Sequence, residues 1–281
     1  MAKKRRRKKR QNTSLLSVAI AAAAIIWGVY TKGGQGNLIS SSSNTSTSSS
    51  AVSSAQTAKT VYGGLAKSDY QKLAQETFKS GGKGWRYVNN NHSTLVKSAW
   101  KVNRVIYSNL DSQNRTSSSN TAFLEKRNVA NDSLRVRQYV QPTGWHSNRQ
   151  NGTQIYNRGH LIAYSVSAGI DQDGNYNPKN QSGDQNNPKN LFTQSAFSNQ
   201  KIQTIFESKV RSALRSGKKV IYQATPIFRG RELMARGINL QAVSTDGSLD
   251  FNVYIYNVQP GYQFDYETGR AKIDRGMQVS E

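Results

Sequence analysis

Four consecutive residues, Asn157, Arg158, Gly159 and His160, bring together side chains suited to work on a phosphate. An imidazole exchanges a proton near neutral pH, and an unperturbed value near 6.5 suits a general base. A guanidinium grips a phosphate through two parallel hydrogen bonds. The glycine between them lets the backbone turn tightly. These are two of the three parts needed to hydrolyse a phosphodiester; the third is a divalent metal ion. A tetrapeptide alone is a weak signal. It gains weight from a second segment that runs from Asn190 through Gln194 and Asn199 to Glu207.

The element that must carry the second segment is a helix, expected over 199–216. Ile202, Ile205, Phe206, Val210, Ala213 and Leu214 recur at helical spacing and form one apolar stripe, and Gly217 is placed to stop it. Asn199, Gln203, Glu207 and Arg211 follow one another at every fourth position, a polar ridge along the edge of that stripe. Such a ridge can line a cleft, or it can make ordinary pairs along one helix, such as Glu207 with Arg211.

Around this helix the sequence reads as strands. Residues 100–107, 134–141, 219–228 and 249–258 have strand character, and 264–273 reads as a closing hairpin. In 134–141, Leu134 and Val136 alternate with Arg135 and Arg137, which predicts an apolar and a basic face. In 249–258, Phe251, Val253 and Ile255 face one way and Tyr254 and Tyr256 the other. A further helix is expected over 68–79, capped by Ser68 and ended by Gly81 and Gly82. Residues 111–132 are polar and read as a loop. Strands around one well-defined helix predict an α+β domain with a central antiparallel sheet flanked by helices.

The chain carries 39 basic and 16 acidic residues, a formal charge of +23. Eight of the basic residues lie in 3–10, and the remaining 31 against 16 still leave +15 on the rest. A body that basic suits a polyanionic partner such as nucleic acid. Arg127, Arg135, Arg137 and Arg149, interleaved with Trp145, are candidates to line a nucleic-acid groove; on a solvated face they would have no such role. With no cysteine, disulfides, thiol catalysis and cysteine metal sites are excluded. There is no nucleophile-elbow, Walker or dinucleotide-binding motif. His92 and His146 read as exposed loop histidines, and 171–175 as a turn rather than a calcium loop.

Ahead of the body, 1–12 is a basic tail and 13–31 an uncharged apolar run at the short end of a membrane span, about 17 to 25 residues. Basic flanks stay cytoplasmic, so a signal-anchor helix would place the body outside the cell membrane. A cleavable signal peptide, with the body secreted, is the alternative. Residues 32–60, rich in Ser and Thr, read as a flexible tether, and 61–281 as the folded domain.

Asn157-Arg158-Gly159-His160, then Asn190 with Gln194, Asn199 with Gln200, and Glu207 together resemble the DNA/RNA non-specific endonucleases of the ββα-metal class. The basic tail, single span, polar tether and the run 187–190 are most similar to the membrane-associated DNA-entry members of that family. The resemblance implies a ββα-metal nuclease fold over 61–281. It implies His160 as the base that activates water, Asn199 as the direct ligand of one Mg²⁺, and Glu207 as support for the hydrated metal. It implies Asn190 as a residue ordering the site and Arg158 as the arginine beside the phosphate. Mn²⁺ is an expected substitute for Mg²⁺. DNA is the implied substrate, with RNA as a second one, and DNA-uptake machinery is an implied partner alongside the membrane. The chain departs from the family at Asn157, where the usual motif carries Asp. The chemistry is compatible: Mg²⁺ keeps several waters and needs few protein oxygens. Eight helical residues rise about 12 Å, so a water between Glu207 and an ion at Asn199 is expected. A surface DNA receptor that has lost activity is the competing reading.

Overall fold

A computed structural model describes residues 61–183 and 185–281. The expected basic tail, signal-anchor helix and tether lie outside the described residues. Among the described residues no helix is long and apolar enough to cross a membrane.

The domain is built on a six-stranded antiparallel sheet. Its strands are β1 (Trp85–Tyr87), β2 (Arg104–Ile106), β3 (Asn120–Leu124), β8 (Val220–Ile227), β9 (Gly237–Ser244) and β10 (Asp250–Tyr256), in the order β1-β10-β9-β8-β3-β2. Between β3 and β8 the chain adds a short ribbon, β4 (Arg149–Gln150) with β5 (Thr153–Gln154). A longer ribbon follows, β6 (Tyr156–His160) with β7 (Leu191–Ser195). The chain closes with the hairpin β11 (Tyr262–Asp265) and β12 (Arg270–Ile273), which meets the expectation for 264–273.

Two helices cover the sheet. Helix α1 is Lys67–Gln75 and α2 is Thr204–Arg215, the latter entered through a π-helical turn at Ser198–Gln203. Period-two alternation makes one sheet face apolar for α2. Tyr222 and Ala224 of β8, Leu240 and Ala242 of β9, and Phe251, Val253 and Ile255 of β10 pack with Ile202, Phe206, Val210 and Leu214. Tyr254 and Tyr256 turn to the other face, where Leu73 and Ala74 of α1 meet them. Gly217, with φ +80°, ends α2: its N–H donates to the Leu214 carbonyl and that of Lys218 to Ala213.

Several expectations are corrected. Helix α1 has no cap from Ser68; it starts at Lys67 and stops at Gln75. Glu76 goes extended there, and its carboxylate takes Arg86 Nε at 3.0 Å and the Tyr256 hydroxyl at 2.6 Å. Of 100–107 only Arg104–Ile106 is strand, and the supposed loop 111–132 contains β3, a wholly buried inner strand. Strand β9, which the sequence reading did not single out, lies between β8 and β10.

Segment 134–141 forms no strand. Leu134 ends a 3-10 turn (Asp132–Leu134), and the rest is irregular with Val136 and Tyr139 exposed, held by two amide side chains in place of a partner strand. Gln185 accepts from Val136 N–H (2.9 Å) and donates to the Leu134 carbonyl (3.0 Å). Asn186 accepts from Tyr139 N–H (3.0 Å) and donates to the Arg137 carbonyl (3.2 Å).

Candidate active site

Ribbon β6–β7, the π-turn and α2 form a ββα unit around a cavity of about 460 Å³, lined among others by Arg135, Asn157, Arg158, His160, Asn199, Glu207 and Arg211. Strand β6 supplies three of these residues at once. Antiparallel pairing sets Asn157 opposite Gln194, Arg158 opposite Thr193 and His160 opposite Leu191.

The glycine of the motif does not make a turn. Gly159 lies inside β6 without a positive φ. It is required by proximity: a Cβ there would lie 2.8 Å from Gln194 Cβ and 3.0 Å from Phe192 Cε1.

His160 is half-buried on the cavity wall. Nε2 lies 3.2 Å from the Gln185 carbonyl oxygen, an acceptor, so Nε2 carries the proton and Nδ1 the lone pair. Burial pushes the imidazole down to about 4; the Gln185 contact opposes this and the Arg135 charge adds to it. This replaces the expected value near 6.5: the ring is neutral, and a weaker base, at physiological pH.

Arg158 lies with its guanidinium 4.2 Å over the Trp145 ring, and its Nε donates to the Val140 carbonyl. One edge is thereby committed, and the two terminal nitrogens keep a fixed plane. Arg135 is stacked 4.3 Å over Tyr164.

Asn199 is held by a one-way chain of amides. The Glu207 carboxylate accepts from Gln203 Nε2 (2.7 Å), which also donates to the His160 carbonyl (3.0 Å). Gln203 Oε1 accepts from Gln194 Nε2 (2.8 Å), and Gln194 Oε1 from Asn199 Nδ2 (2.9 Å). Asn199 Oδ1 accepts from Asn157 Nδ2 (2.8 Å), and Asn157 Oδ1 from Gln154 Nε2 (2.6 Å). A peptide carbonyl and an ionised carboxylate can only accept, so they fix the direction of every amide in the chain. The result turns Asn199 nitrogen inward and leaves its oxygen toward Asn157. Burial raises the Glu207 carboxyl, while Gln203, Arg211 and Arg135 pull it back.

Among the described residues no three His, Cys, Asp or Glu cluster to hold a metal. The donor set is instead one neutral oxygen, Asn199 Oδ1, with the Glu207 carboxylate lining the same cavity. That set fits an ion such as Mg²⁺, which keeps most of its waters.

The remaining candidates separate. Asn190 is fully buried and does not line the cavity: Oδ1 takes Ile162 N–H at 2.9 Å and Nδ2 donates to the Ile162 carbonyl at 3.0 Å. It clamps the backbone just beyond His160. Arg127 is paired with Glu125 and stacked on Tyr176, and Arg149 bonds the Gly152 carbonyl; neither lines this cavity. Arg137 lines an adjoining recess. His92 and His146 are exposed, on Asp250 and the Thr268 carbonyl respectively. Sequence reasoning placed Arg211 and Gln203 on the ridge without roles; the four-residue spacing was their signal. Gln138 and the Gln185 carbonyl, both beside His160, gave none.

Residues 93–246 match the family model described as DNA/RNA non-specific endonuclease. The structure is similar to that of NucA from Streptococcus agalactiae with magnesium ion bound: 29% identity over 74% of this chain and 97% of that one, TM-score 0.59. The same protein with no metal bound gives 31% identity over 73% and 96% of the two chains, TM-score 0.57. A curated deoxyribonuclease of Streptococcus dysgalactiae subsp. equisimilis is 38% identical over 50 residues; that match spans 18% of this chain and 15% of the relative's length. Together with the site geometry, these matches establish that the chain belongs to the DNA/RNA non-specific endonuclease family.

Proposed function

We propose that the protein is a Mg²⁺-dependent endonuclease that hydrolyses DNA, and RNA as a second substrate, without sequence preference, Mn²⁺ substituting for Mg²⁺. The observation that carries this is the convergence of His160 and Arg158 from β6, Asn199 from the π-turn and Glu207 from α2 on one cavity. The magnesium bound in the NucA relative supports the choice of ion. Asn199 Oδ1 would hold the ion, and Glu207 would hold its waters. When bound, the ion supplies charge stabilisation to the phosphate. Arg158 offers its two terminal nitrogens to phosphate oxygens, and Arg211 adds a second cation on the α2 side. Neutral His160 takes a proton from water at Nδ1, while Nε2–H stays on the Gln185 carbonyl.

The reading includes a place. The basic tail and apolar run at 1–31 would anchor the domain outside the cell membrane, where it would serve DNA uptake or the degradation of extracellular DNA. Covalently closed plasmid tests the chemistry: nicking in Mg²⁺, abolished by chelator and restored by Mn²⁺, is expected. A protein that binds plasmid but never nicks it overturns the nuclease reading in favour of a receptor. Protease added to intact cells should release the folded domain; protection until lysis would overturn the topology.

A further inference from the structure

Beside the catalytic cavity lies a second recess, of about 480 Å³, lined by Arg137, Gln138, Tyr139, Gln141, Asn148 and Arg158. Three of these, Gln138, Asn148 and Arg158, also line the catalytic cavity, so the two are continuous. Its chemistry is distinctive for what sits together. Two guanidiniums converge with no carboxylate among the described lining residues. Burial, followed by the Arg137 charge, lowers the Arg158 guanidinium, which marks like charges brought near each other. Three amide side chains offer donors and acceptors at once.

Tyr139 is the aromatic member, and it is 71% exposed. An exposed ring normally sits on a mobile loop, but here the backbone is pinned. Tyr139 N–H is taken by Asn186 Oδ1, the same amide donates to the Arg137 carbonyl, and Gln185 holds Val136 and Leu134 likewise. A solvated aromatic ring on a pinned backbone, between amides and cations, has the composition of a nucleotide subsite: ring for base, amides for base edges, guanidiniums for phosphate.

We propose that this recess holds the nucleotide flanking the scissile phosphate, with its base unstacked and laid against Tyr139. The inference rests on the nuclease reading and adds a specific requirement: the strand is gripped by one base as well as by its phosphates. Stacking is indifferent to base identity, because every base has a π-face, so the grip is compatible with sequence-independent cutting. It does need an unpaired base, so single strands bind better than closed duplex at this subsite.

The test is binding of a short single-stranded DNA carrying 2-aminopurine, by the full protein in chelator so that nothing is cut. Tyr139→Ala should weaken binding by about 5- to 150-fold, the usual worth of one base–aromatic stack, while Tyr139→Phe stays within about twofold of wild type. An otherwise identical strand with one abasic position should bind wild type as weakly as the intact strand binds Tyr139→Ala. The two losses should not add. The slope of log affinity against log salt should be unchanged in Tyr139→Ala and smaller by about 0.7 in Arg137→Ala. Wild-type affinity in Tyr139→Ala, or an abasic strand bound as tightly as the intact one, overturns the subsite. Plasmid nicking by the same preparations separates the two readings. Nicking without any Tyr139 effect removes only the subsite; neither nicking nor binding removes both.

Discussion

Replacing Gly159 by Ala adds one methyl group where two strands of the site come closest. The new Cβ would stand 2.8 Å from Gln194 Cβ and 3.0 Å from Phe192 Cε1, and would press on the Gln194 amide oxygen. The amide end can swing away, but Gln194 Cβ moves only with the backbone of β7. Overpacking of this kind costs about 1–3 kcal/mol. Displacing Gln194 also breaks its bonds to Asn199 and Gln203, each worth about 0.5–1.5 kcal/mol. The sum is about 2–6 kcal/mol. At about 2–4 °C per kcal/mol for a domain this size, melting should fall by roughly 4–24 °C. The functional consequence is distinct from the loss of stability. Asn199 loses the acceptor that turns its nitrogen inward, so its oxygen is no longer held in place. The Mg²⁺ concentration for half-maximal nicking should rise about tenfold, the equivalent of one lost hydrogen bond. Both are read on one preparation, by thermal melting in chelator and by Mg²⁺ titration of plasmid nicking well below the new melting point. Unchanged melting refutes the steric argument. Lower melting with an unchanged Mg²⁺ requirement refutes the claim that the amide chain orients Asn199.

His160→Gly should lower cleavage by about 10² to 10⁴, the usual worth of a general base, with DNA affinity in chelator unchanged and partial rescue by added imidazole; full activity in this variant sinks the mechanism. Because burial holds His160 down to about 4, it is already deprotonated at pH 6, and kcat/KM should show its acid limb near 4. A limb near 6.5 would mean that the ring is solvated in the working enzyme. The same shift bears on stability: between about 4 and 6.5 the unfolded chain binds the proton more readily, so this contribution is present above pH 6.5 and is lost as pH falls toward 4. Asn157→Asp removes the donor to Asn199 Oδ1 and puts a negative acceptor there. Metal-free melting should fall by the worth of about one hydrogen bond, while activity at saturating Mg²⁺ holds or rises; equal loss with and without Mg²⁺ would refute this.

Much of the frame is local and therefore legible in the sequence. The apolar stripe of α2 and its stop at Gly217, the alternation of Phe251, Val253 and Ile255, and the closing hairpin each rest on side-chain period and turn chemistry within a few residues. Residue types suggest phosphate chemistry at Arg158 and His160, and the family resemblance implies the roles of Asn199 and Glu207. What the sequence could not determine depends on partners far along the chain. Strands β3 and β9 carry Asn120, Thr121, Asn239 and Gln241, polar residues that look like loop. They are buried because each meets an amide, hydroxyl or carbonyl from another element, as Asn239 meets Asn252 and Gln223 meets Thr121. The reverse holds at 134–141, where a strand-like alternation finds no strand to pair with and is satisfied by Gln185 and Asn186, about fifty residues on. Gly159 reads as a turn residue until β7 is laid against it. His160 reads as an ordinary imidazole until the fold half-buries it on the cavity wall, which lowers it, while the Gln185 carbonyl sets its tautomer and opposes that shift. Periodicity and residue type report what a side chain prefers; desolvation and the direction of a hydrogen bond are set by what the folded chain brings to the other side.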